Sequence, residues 1–241
     1  MIELVDLDSM IDKKLISKVA LRPYNENGTV PLFGEFTHKL AEEYYKFICR
    51  LYPKDRRYNP AFYSRIKSDR DECYKTVEYL AKIGALATKL QSNGGLVFDF
   101  GCGIAIPSIA YSKLCDSSII AVDKNNTEID KAQKLAKELD TNLDFVVDKA
   151  ENVISKRGLQ PNDVVIISRP DGSLGHYWKE LLKNYEFTLL LTRFVHSDEF
   201  PDQIELQLED IKNKHFKQYG YGIKVGRTFK DMLLVFVASK N

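Results

Sequence analysis

The sequence predicts an α/β protein with a doubly wound, mostly parallel sheet, and three observations support this class. From residue 96 onward, short apolar segments rich in Val and Ile alternate with amphipathic stretches, which is the pattern of β-α-β units. Two further apolar segments at the C-terminus are too close in sequence for a crossover, so we expect an antiparallel hairpin. Residues 1–92 show helical periodicity and no convincing strand. The expected architecture is therefore a seven-stranded sheet with a C-terminal antiparallel hairpin and an N-terminal helical extension.

Two helical patterns dominate the N-terminal part. The first is "FTHKLAEEYYKFICRLY", residues 36–52, in which apolar side chains recur at helical spacing and Thr37 is the expected N-cap. The second is "DECYKTVEYLAKIGALATKLQSNGG", residues 71–95, which ends at a breaker of one asparagine and two glycines. The segment between them is irregular and basic.

After the breaker, strand and helix patterns alternate along the chain. Thr127 and Asp130 resemble a capping box for the clearest of the helices. A polar helix is expected at about 200–217, before the hairpin segments at 221–229 and 231–239. The other expected strands are 96–100, 118–122, 143–147, 163–167 and 186–192, and the helices are 106–115, 127–139, 151–156 and 174–184.

Composition and charge limit the classes of protein that fit this chain. Hydrophobic residues make up 44% and charged residues 29% of 241, and the formal net charge is +1, which argues against a whole-protein electrostatic grip on nucleic acid. The four cysteines show no CxxC pair and no metal-like spacing with the four histidines, so we expect reduced thiols and no metal. Neither a signal peptide nor a membrane span is evident, and we expect a cytoplasmic protein without a membrane partner.

A glycine turn and three aspartates mark the candidate site. Asp99 lies near the end of the first strand, and Gly101 and Gly103 follow it before a helix. Asp123 ends the next strand, 22 residues after Gly101, and Asp148 follows the third strand. The carboxyl ends of parallel strands meet at one crevice, where ligands bind in this class of sheet. Because Asp99 would repel a diphosphate, these acids indicate a donor-rich ligand that tolerates negative charge.

These residues carry a family resemblance. "VFDFGCGIAIPSIA", "IIAVDKN" and "FVVDKAENV" resemble the class I S-adenosylmethionine-dependent methyltransferases, whose first motif reads roughly D-x-G-x-G-x-G. Here the third glycine of the motif is replaced by Ala105. The resemblance covers about residues 94–241 and implies a Rossmann-like domain at 93–241, S-adenosylmethionine as cofactor and S-adenosylhomocysteine as product. Residues 1–92 would then form an extension or lid.

The resemblance also implies roles for individual residues. Asp99 and the backbone of the glycine turn would face the methionine part of the cofactor. Asp123 would bind the ribose hydroxyls, Asp148 the adenine amino group, and Lys124 would flank the adenine. The full set of expected cofactor contacts is Asp99, Gly101, Cys102, Gly103, Asp123, Lys124, Asp148, Lys149, Ala150 and Ser168.

The segment after the fourth strand of this part faces the methyl acceptor in the family. Here it reads "DVVIISRPDGSLGHYWKEL" and lacks the [ND]-P-P-[YF] motif of enzymes that methylate amino or amide nitrogens. His176 is the candidate general base, since imidazole titrates near neutral pH, and Arg169 could orient a carboxylate or phosphate. Asp171 completes this catalytic set. The alternative is that His176 and Trp178 simply begin a helix that packs on the sheet.

Several functions stay open at this level. We prefer methyl transfer to a small acceptor, including an anionic metabolite, enclosed by the N-terminal part. An RNA acceptor is the alternative, because residues 50–70 carry seven Lys or Arg against two Asp, with aromatic residues interleaved. A non-catalytic binding or scaffold subunit is a third hypothesis, and a protein acceptor is also open.

A nicotinamide- or flavin-binding domain fits poorly, because its glycine pattern requires a small residue where Ile106 stands. The sequence does not predict the oligomeric state.

Overall fold

The computed structural model describes residues 3–4, 6–19, 35–51, 70–91, 94–115, 117–170, 174–196, 216–225 and 229–238. None of the helices in these ranges is long and apolar enough to span a bilayer. The helices are α1 (Leu7–Met10), α2 (Lys13–Val19), α3 (Glu35–Leu51), α4 (Arg70–Leu90), α5 (Ile106–Cys115), α6 (Asn126–Glu138), α7 (Ala150–Arg157) and α8 (Leu174–Asn184). The strands are β1 (Glu3–Leu4), β2 (Val97–Phe100), β3 (Ile120–Asp123), β4 (Asp144–Val147), β5 (Val164–Ser168), β6 (Thr188–His196), β7 (Phe216–Val225) and β8 (Phe229–Ala238).

The strands form one sheet in the order β1-β7-β8-β6-β5-β2-β3-β4. Strands β4, β3, β2, β5 and β6 are parallel, whereas β8 runs antiparallel to both β6 and β7. The predicted class, a mostly parallel sheet with a C-terminal antiparallel hairpin, is confirmed. The predicted count of seven strands is one too few, because Glu3–Leu4 adds an edge strand parallel to β7. Two residues are too few to show a strand periodicity, so this pairing has no sequence signal.

The hairpin begins earlier than predicted. Strands β7 and β8 pair from Phe216 opposite Ala238 to Val225 opposite Phe229. The polar helix predicted at about 200–217 falls outside the described residues, except for residues 216 and 217, which belong to β7.

Both faces of the central strands β2 and β5 are buried, which explains why these strands are almost continuously apolar rather than alternating. In β5, Val164 and Ile166 pack on the side of α4 and α5, while Val165 and Ile167 pack on the side of α8, where Trp178 is buried. The sheet is therefore covered by helices on both sides, as a doubly wound fold requires.

The N-terminal helices share the core of the sheet. Leu7 of α1, Leu40 of α3 and Val77 of α4 are buried in the same cluster as Val164 of β5. The boundary expected at residues 92–93 and the lid role of residues 1–92 stay predictions.

Two predicted helix caps are wrong. Helix α3 begins at Glu35, so Thr37 lies inside it and is buried rather than capping it. Helix α6 begins at Asn126, and its N-cap is Asn125, whose side chain accepts a hydrogen bond from the N–H of Thr127. Asn125 and Asn126 fit the cap pattern as well as Thr127 does, so the sequence alone does not select the right residue for α6.

Helices α4 and α5 cross closely at Gly84. A Cβ atom at this position would lie 2.4 Å from the carbonyl oxygen of Pro107 and 2.9 Å from the nitrogen of Tyr111. Further along, Thr88 Oγ1 lies 2.8 Å from Cys115 Sγ near the C-terminal ends of both helices, so the two helices run in the same direction. Because Gly84 lies opposite the first turn of α5, residues 70–83 continue about 20 Å beyond the N-terminus of α5.

The Gly84 contact yields a stability prediction. We expect Gly84→Ala to lower the free energy of unfolding by about 1–3 kcal/mol, the usual cost of overpacking, even though alanine is the better helix former. Urea denaturation followed by circular dichroism measures this. Lys75→Ala, at an exposed position of the same helix, is the control and should change stability by no more than about 0.5 kcal/mol. An alanine variant as stable as the wild type would contradict the close crossing.

A buried carboxylate joins elements at the amino ends of the strands. Asp163, directly before β5, accepts hydrogen bonds from the N–H groups of Leu96 and Gln160, both at 2.9 Å, and from Arg157 at 2.8 Å. Burial opposes ionisation of Asp163, but the hydrogen bonds from Arg157, Leu96 and Gln160 outweigh it and lower the pKa of the carboxyl. Arg157 also lies over the ring of Phe98, 5.2 Å from its centroid. Asp163 therefore ties α7, β2 and β5 together.

The lowered pKa of Asp163 sets the sign of a pH dependence. We expect Asp163→Asn to cost about 2 kcal/mol of stability at pH 7, the scale for hydrogen bonds to a charged group. The ionised form stabilises the fold above the ordinary aspartate pKa, about 4, and this stabilisation is lost as the pH falls through the lowered pKa. The difference between variant and wild type should therefore shrink in acid, as measured by urea denaturation from pH 7 to pH 3. Asp130→Asn, at an exposed site, should show neither effect; a pH-independent difference at Asp163 would contradict the ionic role.

Candidate functional site

The glycine turn joins β2 to α5 at the carboxyl edge of the sheet. Gly101, Gly103 and Ala105 all adopt left-handed backbone, with φ of +69°, +52° and +57°. A Cβ on Gly101 would also lie 2.7 Å from Leu174 Cδ2, whereas no atom lies within 4 Å of a Cβ built on Gly103. Glycine is thus favoured at 101 by its left-handed backbone, and a larger residue would also have to displace the flexible end of the Leu174 side chain. At Ala105, where the family motif has glycine, the same conformation costs about 1 kcal/mol.

The turn is held by the neighbouring strand β3. The N–H groups of Gly101 and Cys102 both donate to the carbonyl oxygen of Val122, at 2.8 and 3.1 Å. The N–H of Gly103 donates to Asp123 Oδ2 at 3.0 Å, and Asp123 Oδ1 accepts from the N–H of Asn125 at 2.8 Å. The second of the predicted acids is thereby in direct contact with the glycine turn.

Asp99 is buried on the side of the sheet that α5 covers. Ser108 of α5 donates a hydrogen bond to its Oδ2 at 2.6 Å, whereas its Oδ1 is buried without a hydrogen-bond partner. Burial raises the pKa of Asp99 to about 7; the Ser108 hydrogen bond opposes this shift and the charge of Asp123 adds to it. The Cys102 thiol is also buried, and burial together with the charges of Asp99 and Asp123 raises its pKa. Cys102 is therefore an inert, protonated thiol.

Asp148 lies beside Asp123 at the end of β4. Its N–H donates to the carbonyl oxygen of Asp123 at 3.2 Å. Its carboxylate accepts from Asn152 Nδ2 at 2.6 Å, from the N–H of Lys149 at 2.8 Å and from Lys156 Nζ at 3.3 Å. The Asn152 hydrogen bond, with those from Lys149 and Lys156, lowers the pKa of Asp148.

The remaining expected cofactor contacts surround these acids. Lys124 follows Asp123 and is exposed, Lys149 is the N-cap residue of α7, and Ala150 is its buried first residue. Ser168 ends β5, the strand next to β2, and its hydroxyl oxygen is buried without a hydrogen-bond partner. All of them therefore lie at the carboxyl ends of β3, β4 and β5.

Arg169 is held in an unusual conformation after β5. Its φ is +52°, and its N–H donates to the carbonyl oxygen and to Oγ1 of Thr192 on β6, at 3.1 and 2.9 Å. A left-handed non-glycine residue costs about 1–2 kcal/mol, so the surrounding structure maintains it.

The other catalytic candidates are placed differently. His176 is exposed in the first turn of α8, while Trp178 is buried and packs against Phe236, as the helix-packing interpretation expects. Asp171 and most of the basic segment 50–70 lie outside the described residues. In the described ranges, no group of three or more His, Cys, Asp or Glu side chains is arranged to hold a metal ion.

Sequence reasoning missed three residues that shape the site. Ser108 partners Asp99, Leu174 packs over Gly101, and Thr192 anchors Arg169. Each contact joins segments far apart in the chain, and a serine, leucine or threonine carries no motif that would single it out.

The arrangement can be tested against the cofactor that the resemblance implies. Three carboxylates come from adjacent strand ends, the space beside Gly103 is open, and Asp99 Oδ1 is an unsatisfied buried acceptor. In the parts of the chain with described contacts, neither Asp99 nor Asp123 forms an ion pair. This acidic set, in which Asp99 and Asp123 keep acceptor capacity for further donors, fits a cationic nucleoside with free hydroxyl and amino groups and fits a diphosphate poorly.

Comparison with known proteins supports the same reading. Residues 76–168 match the family described as Ribosomal protein L11 methyltransferase (PrmA). This segment is less than half of the chain, but it runs from α4 to β5 and contains the glycine turn and all three acids. Among curated proteins no sequence matches the chain significantly.

Solved methyltransferase structures share the fold. Magnesium protoporphyrin IX methyltransferase (ChlM) from Synechocystis PCC 6803, solved with S-adenosylhomocysteine, is 16% identical with a TM-score of 0.53, covering 84% of this chain and 100% of that one. The delta-N METTL16 methyltransferase domain is 11% identical with a TM-score of 0.50, covering 69% of this chain and 81% of that one.

The motif, the sheet order, the family match and the shared fold together define the class. The chain is a class I S-adenosylmethionine-dependent methyltransferase, an enzyme whose cofactor is S-adenosylmethionine. The printed activities of the similar proteins name different acceptors, a ribosomal protein and a porphyrin, so they identify the reaction and not its acceptor.

Proposed function

We propose that this enzyme methylates a small anionic acceptor and holds S-adenosylmethionine at the carboxyl ends of β2, β3, β4 and β5. The observation that carries the cofactor site is the hydrogen bond from the glycine turn to Asp123, which brings two predicted binding elements into contact. The acceptor class is supported by Arg169, the cation held in a strained backbone at the same edge.

Each part of the site has a binding role. The remaining lone pairs of Asp123 accept hydrogen bonds from the ribose hydroxyls, and Asp148 accepts from the adenine amino group. Lys124, Lys149 and Ala150 border the adenine. Asp99, Ser168 and the turn formed by Gly101, Cys102 and Gly103 surround the methionine part.

The chemistry demands alignment more than proton transfer. The cofactor supplies an electrophilic methyl group on its sulfonium. The protein holds the acceptor atom about 3 Å from that carbon, on the axis of the bond that breaks, and excludes water. A general base is needed only for a protonated, weakly acidic acceptor. We assign this conditional role to His176, with Asp171 as a neighbouring polar group.

Arg169 suits the recognition of an acid group on the acceptor. Its backbone N–H is fixed by two oxygens of Thr192, so its side chain starts from a defined position at the strand ends. A guanidinium binds a carboxylate or phosphate through two parallel hydrogen bonds and stays charged at every physiological pH. The fold is compatible with such an acceptor, since one structure that shares it is named for magnesium protoporphyrin IX.

The N-terminal part supplies a cover for the acceptor. Helix α4 continues about 20 Å beyond the first turn of α5, past the level of the glycine turn. Helix α3 packs beside it through Leu40 and Tyr44. We infer that residues 1–92 form a lid that excludes water during transfer.

The cofactor site is tested by Asp123→Ala. We expect this change to weaken the binding of S-adenosylmethionine by about 1–3 kcal/mol, the scale for lost hydrogen bonds to a charged group. Isothermal titration calorimetry measures the affinity. Asp144→Ala is the matched control, because Asp144 begins β4 at the opposite end of the sheet. An unchanged affinity in Asp123→Ala would refute the ribose assignment.

The acceptor is tested with labelled methyl groups. A panel of carboxylated and phosphorylated metabolites, RNA and ribosomal protein is incubated with the enzyme and S-adenosylmethionine. We expect transfer to an anionic metabolite, and we expect Arg169→Ala to raise KM for it at least about tenfold, the scale of one charge-assisted hydrogen bond. Arg169→Lys should lose less, and cofactor affinity should be unchanged in both variants.

Other outcomes of the panel separate the alternatives. Transfer to RNA that is lost when Arg56, Arg57 and Arg65 are reversed in charge would favour the RNA acceptor. Cofactor binding without transfer to any of the acceptors would favour a binding or scaffold subunit.

A further inference from the structure

The surroundings of the Asp99 carboxyl favour its protonated form. It is completely buried on β2, and the described residues offer it one hydrogen-bond donor, Ser108, for two oxygens. Within the described residues, no lysine, arginine or histidine is paired with it. A buried carboxylate without a cation is costly, and such a group avoids the cost by taking up a proton.

The negative charge that faces Asp99 also favours the protonated carboxyl. Asp123 on β3 adds negative charge, and the Cys102 thiol on the turn offers no positive charge. Among the described residues, the Ser108 hydroxyl on α5 is the one group that favours the ionised form. The pKa of Asp99 accordingly rises to about 7, so that the group is about half protonated at neutral pH.

We propose that Asp99 holds a proton in the ligand-free enzyme and releases it to solvent when the positively charged cofactor binds. This inference rests on the proposed cofactor site. S-adenosylmethionine brings a sulfonium and an ammonium group, and a cation near Asp99 supplies the charge that the buried carboxylate lacks. The carboxyl then loses its proton, no covalent bond in the cofactor changes, and the released proton leaves to the buffer.

The sign of the pH dependence follows from linkage. A folded-state pKa above the ordinary aspartate value means that the ligand-free fold binds the extra proton between about pH 4 and pH 7, and that its stability falls as the pH rises through this window. The affinity for the cofactor has the opposite pH dependence, because binding releases the proton. This affinity should rise by up to about tenfold from pH 6 to pH 8, and the number of protons released per cofactor should fall as the pH rises through the raised pKa of Asp99.

Titration calorimetry in buffers of low and high ionisation enthalpy, phosphate and Tris, counts the released protons. S-adenosylmethionine is titrated into wild-type enzyme and into Asp99→Asn between pH 6 and pH 8. The asparagine keeps the size of the side chain and can accept the Ser108 hydrogen bond, and thermal unfolding confirms that the variant folds. The amino group of the cofactor titrates equally in both proteins, so the difference in proton count isolates Asp99. We expect the release described above in the wild type and its loss in Asp99→Asn.

Ser108→Ala provides a second, directional test. Removing the donor that favours the ionised carboxylate raises the pKa of Asp99 further, so proton release should persist to higher pH than in the wild type. A purely structural role of Ser108 would lower stability without moving the proton release.

The outcomes distinguish this inference from the proposed function. Binding whose heat is independent of buffer, or proton release that survives in Asp99→Asn, would overturn the proposed proton release from Asp99 and leave the cofactor site intact. Failure of wild-type enzyme to bind S-adenosylmethionine would refute the proposed cofactor site and with it the inference.

Discussion

The connection between the glycine turn and strand β3 is the constraint on which the site depends. Left-handed backbone is accessible to Gly101 and Gly103 but strained at Ala105, and here three N–H groups of the turn donate to Val122 and Asp123. Because β2 and β3 are parallel neighbours, these acceptors lie where the turn begins. The strand order therefore determines the conformation of the turn. In this conformation the space beside Gly103 is open, at the edge of the sheet where the three acids meet.

Much of this arrangement could be predicted from the sequence. Strands buried on both faces appear as short runs of Val, Ile and Leu, and the first acid after each run marks a strand end, as Asp123 and Asp148 do. The short strand Glu3–Leu4 has no such run, and its pairing with β7 depends on a segment more than two hundred residues away. The cap predicted at Thr127 was wrong because Asn125 and Asn126 fit the pattern equally well, and the cap predicted at Thr37 was wrong because α3 begins two residues earlier.

The sequence predicted which strand ends form the candidate site, but not which side chains contact each other there. The residues at the ends of β2 to β5 meet because β2 lies between β3 and β5, the point where the chain changes direction across the sheet. Ser108, Leu174 and Thr192 complete the surroundings from the following helices and from β6. Such contacts depend on how segments pack in three dimensions, and no spacing in the sequence encodes them.

Two buried aspartates at opposite ends of the sheet show where the fold is stabilised and where it is prepared for a ligand. Asp163, at the amino end, is satisfied by two backbone N–H groups and by Arg157, and its pKa is lowered. Asp99, near the carboxyl end, has Ser108 as its one hydrogen-bond donor in the described part of the chain, and its pKa is raised. Both are buried, so the number and charge of their donors, not burial itself, determine the opposite shifts. The unsatisfied carboxyl lies on β2, two residues before the first glycine of the turn, where the missing positive charge can come from a bound molecule.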